Sequence, residues 1–558
     1  MTNAEIADHF SLLAQLMDLH GENAFKSKSY SSAAYGIERL TRELSTMEDA
    51  AMAAARLGYS ARAKIHELLL GGKMEALEKL IAATPPGLME MMQIKGLGPK
   101  KIRIIWQDLG IETVGELEYA CTENRLAGLK GFGEKTQQNV CESISFWRKN
   151  QGWHLWAEVE SFSQSLIGHF KKELPKARFE LTGEIRRQVE TLEIIELVTD
   201  ADKSKLEKVI NAWEGAILSE EPNERLLIEV PDQPTIRIHL ATADTFFHTL
   251  FLSTGSAEFL AAFLKKHKVP DAPTSEQEIF KEAGIQYVPP ALRELPAVLE
   301  RAEANELKEL VTAKDIRGII HSHSTWSDGA DSIEVMAKGA RDAGFEYLVI
   351  SDHSQAAQYA GGLTPDRIAA QHREIEELNA KLAPFKIFKS IEADILGDGS
   401  LDYNERVLST FDIVIASVHS NLKMSQERAM ERLLTAIRNP YTSILGHMTG
   451  RLLLSREGYP VDHKKLIDTC AAYDVVIEIN AHPKRLDMDW RWMHYAIEKG
   501  VLLSINPDAH AVSGFKDVHY GSLIAQKGGV TPEHNLSSFR LGQFEEFVKA
   551  QQQKRGKQ

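Results

Sequence analysis

The stretch His321-Ser322-His323-Ser324-Thr325-Trp326-Ser327-Asp328-Gly329 sets two imidazoles and a carboxylate close together. It follows the apolar run Ile316 to Ile320, which reads as a strand running out into a loop where side chains converge on a ligand. Alternation along that strand puts His321 and His323 on one face. Two imidazoles side by side, with Asp328 just beyond, are the opening of a metal site. Left in an apolar core, each would need its own buried polar partner.

The elements that position such a site recur along the rest of the chain. Apolar strand candidates end in Asp352-His353, in Glu392, in His419, in His447, near Glu478 to Asn480, and before Asp508-Ala509-His510. With the first strand this makes seven alternating strand and helix units, a pattern that predicts a β/α barrel with its site at the C-terminal ends of the strands. Helical residues around Glu300 to Leu310 connect this region to what precedes it.

Length and composition bound the rest. A chain of 558 residues is too long for one core, and three or four domains are expected. Cys121, Cys141 and Cys470 lie far apart in no paired spacing, which excludes a thiolate zinc site and points to a reducing compartment. Met1 to Gln15 carries acidic residues and no continuous apolar segment, and no run of about 18 apolar residues is present to span a membrane. A cytoplasmic protein with no membrane partner is expected. The net charge of -14 argues against a chain coated in basic surface, though a small basic patch on one domain stays compatible with it.

Such a patch is legible near the N-terminus, where the first 150 residues read as helical throughout. Ile94-Lys95-Gly96-Leu97-Gly98-Pro99-Lys100-Lys101 and Leu129-Lys130-Gly131-Phe132-Gly133-Glu134-Lys135 share the form apolar, Lys, Gly, apolar, Gly, x, Lys. Between two helices these glycines permit a tight hairpin and expose backbone N–H groups at the start of the second helix, a phosphate cradle with lysines alongside. Lys95, Gly96, Gly98, Lys100, Lys101, Lys130, Gly131, Gly133 and Lys135 are therefore the expected DNA-binding residues, holding the backbone without reading sequence. Arg56-Leu57-Gly58-Tyr59-Ser60 is a third, degraded copy with arginine at its first glycine position.

The helical N-terminus, the paired hairpins, Thr254-Gly255-Ser256 and Tyr287-Val288-Pro289-Pro290 resemble a bacterial family X DNA polymerase over nearly the whole chain. In that family a Gly-Ser-x-Arg-Arg stretch precedes an Asp-x-Asp pair, and a third Asp follows on a later strand; the three hold two magnesium ions. Here Gly183-Glu184-Ile185-Arg186-Arg187 matches the first motif, with Glu184 in place of serine. The register then puts Ile194, Glu196 and His239 where the aspartates stand. An isoleucine ligates no metal, and one carboxylate with one imidazole poorly replaces hard oxygen ligands. Asp200 and Asp202 form an Asp-x-Asp only if the register slips. The expected outcome is a palm kept as structure, with nucleotide addition lost or very weak. Arg186 and Arg187 are placed for a phosphate or for salt bridges. Lys64 aligns with the lysine that forms a Schiff base with abasic sugar in some relatives, and its simpler reading is a lysine near DNA phosphate.

The C-terminal region resembles a polymerase and histidinol phosphatase (PHP) domain, the usual partner in bacterial family X enzymes. The resemblance implies that His321, His323, Glu392 and Asp508 hold one metal, that Glu392 bridges to a second with His419 and His447, and that Asp328, His353 and His510 hold a third. Imidazole and carboxylate without thiolate suit up to three Mn2+ or Zn2+ ions, and the sequence does not choose between them. Paired metals activate water and hold phosphoryl oxygens, so the reaction expected is phosphoester hydrolysis. Arg451 and Arg485 are the catalytic candidates, with Lys484 beside Arg485; each contacts substrate phosphate or is salt-bridged on its loop. His482 reads as a loop residue.

The fold class expected is multidomain α and α/β. Residues 1–80 form an N-terminal helical DNA-end-binding domain and 81–150 a tandem helix-hairpin-helix, fingers-like domain. Residues 151–310 form a degenerate nucleotidyltransferase palm and thumb, and 311–558 a distorted seven-stranded PHP barrel. The function expected is a DNA-repair nuclease acting from the 3′ end of gapped or 3′-ended duplex DNA, as a monomer, with abasic-site endonuclease or 3′-phosphatase activity in base excision repair as further possibilities. The alternatives are an active gap-filling polymerase with 3′-5′ exonuclease and a non-catalytic DNA-binding scaffold.

Overall fold

The computed structural model describes residues 1–555 apart from Thr41, Arg56, Glu123, Asn124, Asn150, Gln151, Asp232 and Ser455, and all their side chains except those of Tyr119, Thr122, Arg148, Lys149 and Tyr359. The chain divides into two compact units, Met1–Gln151 and Gly152–Gln558.

The first unit is helical. Helix Asn3–His20 buries Ile6, Phe10, Leu13 and Met17, a three-and-four spacing that turns one stripe inward. Helix Ala24–Glu38 packs Tyr30 beside Phe10, ring centroids 5.8 Å apart. One core continues from there through Ile65, Leu88, Ile102 and Leu117 to Ile144.

The second unit opens on a five-stranded sheet in the order Phe179–Thr182, Ile194–Thr199, Thr235–Leu240, Arg225–Glu229, Ile217–Glu221. Ile194–Thr199 runs parallel to Thr235–Leu240 and the other pairs are antiparallel. Period-two alternation gives it two unlike faces. Leu197, Ile236 and Ile238 point into a core with Leu166, Phe170, Leu206 and Ile210 of the covering helices, while Glu196, Arg237 and His239 face the other way. Helices Phe246–Thr254, Ala257–Lys266, Glu276–Glu282 and Ala297–Glu303 then pack around Phe251, Phe263 and Phe280.

Besides the short antiparallel pair His154–Leu155 and Thr191–Leu192, the remaining described strands are parallel. Lys386–Lys389, Tyr347–Ile350 and Gly318–Ile319 form one sheet; Glu392–Asp394, Ile415–Ser417, Ile444–Leu445, Val476–Asn480 and Leu503–Asn506 form another. Parallel bridges from His353 to Glu392 and from Ser322 to Ala509 join them at both edges. Lys386–Lys389 and Glu392–Asp394 are two halves of one strand broken at Ser390-Ile391, so the closed array has the seven strands read from the sequence. Glu392 therefore stands at a break within its strand and not at the end. The C-terminal helix Leu541–Arg555 plugs the opposite mouth of the barrel, with the Phe544 ring stacked on Tyr347 at 4.4 Å between centroids. Arg555 donates to the Phe411 and Asp412 carbonyls, and Lys554 to that of Thr442.

Candidate metal centre

His321 lies beyond its strand, which ends at Ile319, and its φ is +74°. The two leading histidines thus meet through a left-handed turn and not through the strand alternation expected, their ring centroids 5.2 Å apart. Asp508 is also left-handed, at φ +53°. Residues other than glycine enter this region at a cost, and such strain gathers at functional sites.

The nine residues come from six of the seven strands, Val476–Asn480 giving none of them, and gather around Glu392, which is buried. Its Oε1 lies 3.3 Å from His321 Nε2, 3.1 Å from His419 Nε2 and 3.1 Å from His447 Nε2. Its Oε2 lies 3.0 Å from His353 Nδ1 and 3.7 Å from His323 Nε2. Asp508 Oδ1 sits 3.1 Å from His323 Nε2 and 3.4 Å from His321 Nε2. Asp328 reaches His510 at 3.4 Å and His353 at 3.7 Å. Three groups have ligand atoms within 4.8 Å of one another: His321, His323 and Asp508; His353, Glu392 and His419; and His323, Asp328, His353 and His510. They overlap the expected sets, with His323 and His353 each shared between two groups.

Residues that sequence reasoning missed orient these side chains. His321 Nδ1 donates to Glu478 at 2.7 Å, and His419 Nδ1 donates to Asp394 at 2.6 Å. A carboxylate on the far nitrogen fixes the tautomer that presents Nε2 to a metal. Glu478, wholly buried in mid-strand, also accepts from the His447 N–H, Asn480 and Asn506. Asp352 holds the first loop, accepting from the Ser324 N–H and hydroxyl, the Ser327 hydroxyl and Gln371. A lone Glu in the apolar run Val476-Ile477-Glu478-Ile479 was the available signal, because a buried carboxylate needs partners.

Burial opposes charge throughout the cluster, and the neighbours decide each outcome. At His321 burial is outweighed by Glu478, Asp508 and Glu392, which hold its pKa well above the ordinary range. Burial is likewise overcome at His419 by Glu392 and Asp394, which raise it to about 10, and at His510 by Asp328 and Asp508, which raise it to about 9. At His323 burial and the adjacent His353 and His510 act together and lower it to about 3. Glu392 and Asp508 stay well below the usual carboxylate range despite burial, because His419 and His321 face them. The surroundings thus favour positive charge at His321, His419 and His510 and hold His323 neutral.

The donor set fits such ions. His321 Nε2 and Glu392 Oε2 are buried and make no hydrogen bond, and a buried polar atom left so costs about 1–3 kcal/mol unless another partner takes it. Imidazole with carboxylate suits manganese or zinc. The free cysteines, Cys121, Cys141 and Cys470, are elsewhere.

Arg485 stands at the rim, its Nε 3.8 Å from Asp508 Oδ2. Arg451 does not reach the cluster in this way. Its Nε donates to the Arg485 carbonyl at 2.9 Å, its Nη2 donates to the Leu486 carbonyl, and its charge faces Glu190 and Asp489. Lys484 is exposed on the same loop, and the His482 ring accepts the Lys484 N–H.

On the palm face Glu196 and His239 are together, with Nε2 to Oε1 at 3.2 Å, and Arg237 joins them at 3.3 Å. Arg237 also pairs with Glu221 at 2.7 Å. Gly183, at φ +61°, lies so close under the Glu196 carboxylate that a Cβ there would overlap it. Ile194 shares the strand face and adds no ligand atom. Asp200 pairs with Arg178 at 2.8 Å and Asp202 caps helix Lys203–Ile210, so both are spent on structure. Arg186 pairs with Glu276 at 2.5 Å and Arg187 with Glu294 at 2.8 Å, which resolves that pair as salt bridges.

Both hairpins form alike. Gly96 and Gly131 have φ +84° and +83°, and Leu97 and Phe132 close the turns onto Ile94 and Leu129. Gly98 precedes helix Pro99–Leu109 and Gly133 precedes helix Glu134–Lys149. Lys95, Lys100, Lys130 and Lys135 are exposed; Lys101 is half-buried, its Nζ on the Gly96 carbonyl. Gly58 repeats the extended cap of Gly98 before helix Tyr59–Gly71, while Arg56 of that third copy lies outside the described residues. Lys64 pairs loosely with Glu67 at 3.5 Å. No described helix is long and apolar enough to cross a membrane.

Comparison with known proteins agrees with this layout. A helix-hairpin-helix domain model matches residues 1–74, a SAM-like helix-hairpin-helix tandem matches 88–145, and a PHP domain matches 320–482, stopping short of Asp508 and His510. The DNA polymerase/3'-5' exonuclease PolX of Bacillus subtilis (strain 168) is 32% identical over 98% of this chain and its own full length. A probable phosphatase of Thermoanaerobacter sp. (strain X514) is 26% identical over 42% of this chain and 96% of its own. Another, from Caldanaerobacter subterraneus subsp. tengcongensis, is 27% identical over 30% of this chain and 63% of its own. With a relative aligned from end to end and the hairpin and PHP models matched in order, the chain belongs to the PolX family, bacterial family X DNA polymerases that carry a C-terminal PHP domain.

Proposed function

We propose that the barrel is a divalent-metal-dependent phosphodiesterase that shortens DNA from the 3′ end, and that the palm no longer adds nucleotides. The observation that carries this is the convergence of histidines and carboxylates from six of the seven strands around the buried Glu392. His321, His323, Asp328, His353, Glu392, His419, His447, Asp508 and His510 would hold up to three manganese or zinc ions. When bound, the ions polarise the phosphoryl group and activate water. The chain's own residues do the positioning. Glu478 and Asp394 hold His321 and His419 in the Nε2-presenting tautomer, Asp352 fixes the first loop, and Arg485 offers guanidinium donors to a phosphate oxygen.

The helical unit supplies the DNA. Two hairpins with the same left-handed glycine turn, each flanked by exposed lysines, suit backbone contact without sequence readout. A PolX relative named as a 3'-5' exonuclease supports the polarity. The probable phosphatases that match the barrel favour a 3′-terminal phosphate as a further substrate. The palm reading rests on Glu196, whose carboxylate is taken by Arg237 and His239 beside an isoleucine. Residues 1–80, 81–150, 151–310 and 311–558 are the working division of labour.

The test is one gapped duplex, labelled at the 3′ or the 5′ end, incubated with the protein and manganese with and without deoxynucleotides. Shortening from the 3′ end without extension supports both halves. Extension would show that the palm has found other ligands, and an unchanged duplex would remove the nuclease.

A further inference from the structure

We infer that Glu190, a palm residue, is a positioning residue for hydrolysis in the barrel: through Arg451 it fixes the loop that holds Arg485 at the metal centre. The inference rests on the hydrolytic reading above.

Glu190 follows the Gly183–Arg187 motif and is buried. Its carbonyl accepts the Trp156 N–H at 3.1 Å, which ties its backbone to the palm. Its carboxylate points into the barrel. Oε2 accepts the Trp490 indole N–H at 3.1 Å, and Oε1 lies 3.5 Å from Arg451 Nη2. Arg451 spends its Nε on the Arg485 carbonyl and its Nη2 on that of Leu486. An arginine that grips these two consecutive carbonyls fixes the peptide plane that follows the Arg485 Cα, and with it the backbone from which the Arg485 side chain leaves. From there Arg485 sets its Nε 3.8 Å from Asp508 Oδ2.

The loop is pinned from its barrel side too, by Asp487 accepting from Thr449 and by the Leu453 N–H donating to the Lys484 carbonyl. Those bonds hold the loop's outline. Glu190, with Asp489 at 3.8 Å, adds what they lack, a counter-charge that holds the Arg451 guanidinium against the two carbonyls. The palm thereby acquires a role in a reaction whose chemistry lies in another domain, which explains a palm kept without a complete metal site.

The experiment compares Glu190→Ala, Glu190→Gln, Arg485→Ala and the double variant Glu190→Ala/Arg485→Ala in the full chain. Glu160→Ala is the control, since it removes the 2.9 Å His519 contact between palm and barrel without touching the loop. The readouts are release of the 3′ nucleotide from labelled duplex with manganese, and amide exchange across residues 482–489. Loss of an outer partner costs roughly tenfold or more, so Glu190→Ala should lower kcat/KM about tenfold and raise exchange at Arg485 and Leu486. Glu190→Gln, which keeps the shape and one oxygen but not the charge, should recover little of the rate. In the Arg485→Ala background the Glu190→Ala loss should vanish, and Glu160→Ala should match the wild type. If Glu190→Ala folds poorly, Arg451→Lys breaks the same link from the barrel side and should show the same non-additivity.

An active wild type with Glu190→Ala at full rate, with losses that multiply with Arg485→Ala, or with unchanged exchange overturns the inference alone. A wild type that releases no nucleotide overturns the hydrolytic reading and this inference with it.

Discussion

Replacing Glu478 by glutamine should weaken metal binding at the centre while changing almost no volume. Four donors converge on this carboxylate: His321 Nδ1 at 2.7 Å and Asn506 Nδ2 at 2.9 Å on Oε2, the His447 N–H at 3.1 Å and Asn480 Nδ2 at 2.9 Å on Oε1. Glutamine has one oxygen, so two donors must face its NH2 group whichever way it turns. At about 1 kcal/mol for each hydrogen bond removed, the fold loses roughly 2 kcal/mol. With NH2 toward His321, Nδ1 has to accept and the proton moves to Nε2, the atom that faces Glu392 and Asp508. The outer-partner rule puts the loss of metal affinity at about 10 to 100-fold, or roughly 1.4–2.7 kcal/mol. Calorimetric titration of manganese into the metal-free variant, with thermal melts with and without manganese, reads both effects. Wild-type affinity and an unchanged melt would refute the claim that Glu478 sets the His321 tautomer.

His321→Ala and Asp508→Ala should each abolish 3′ hydrolysis while DNA affinity, read by fluorescence anisotropy, stays near wild type; activity retained in both would remove the barrel assignment. Replacing Lys95, Lys100 and Lys101 with alanine should weaken binding equally on unrelated duplex sequences, and the slope of log affinity against log salt should fall by roughly 0.9 for each phosphate no longer neutralised. A change in discrimination between sequences would make the hairpins readers. Glu276→Ala should destabilise the second unit by about 3–5 kcal/mol in denaturant melts, because it strands the wholly buried Arg293 together with Arg186. A loss under about 1 kcal/mol would mean that water reaches the guanidinium.

The residues gathered around Glu392 were legible because they combine chemistry-bearing types with position at the ends of apolar runs. Their partners were not. Asp394 and Glu478 lie within strands, and although a lone Glu in an apolar run signals a buried carboxylate, only the fold shows which imidazole each one holds. The convergence of His321 with His323 was read from strand alternation, yet it depends on a left-handed backbone that no side-chain pattern encodes. Arg451 and Arg485 looked equivalent as loop arginines. Only the tertiary path separates one that grips main chain from one that faces Asp508. The hairpins were legible because glycine at a positive φ is a local requirement, satisfied by the same short motif wherever it occurs. The helix Leu541–Arg555 that plugs the barrel carries few apolar residues, and nothing local marks its partners Tyr347 and Phe388.

The central claim is that hydrolysis belongs to a metal centre built on Glu392. The most direct measurement strips the purified protein with chelator, verifies the loss by elemental mass spectrometry, and follows 3′-nucleotide release from labelled duplex as manganese or zinc is returned. The account predicts a silent stripped protein, recovery that tracks the ions bound, and no recovery in Glu392→Gln. Undiminished release from the stripped protein, or full recovery in Glu392→Gln, would contradict it.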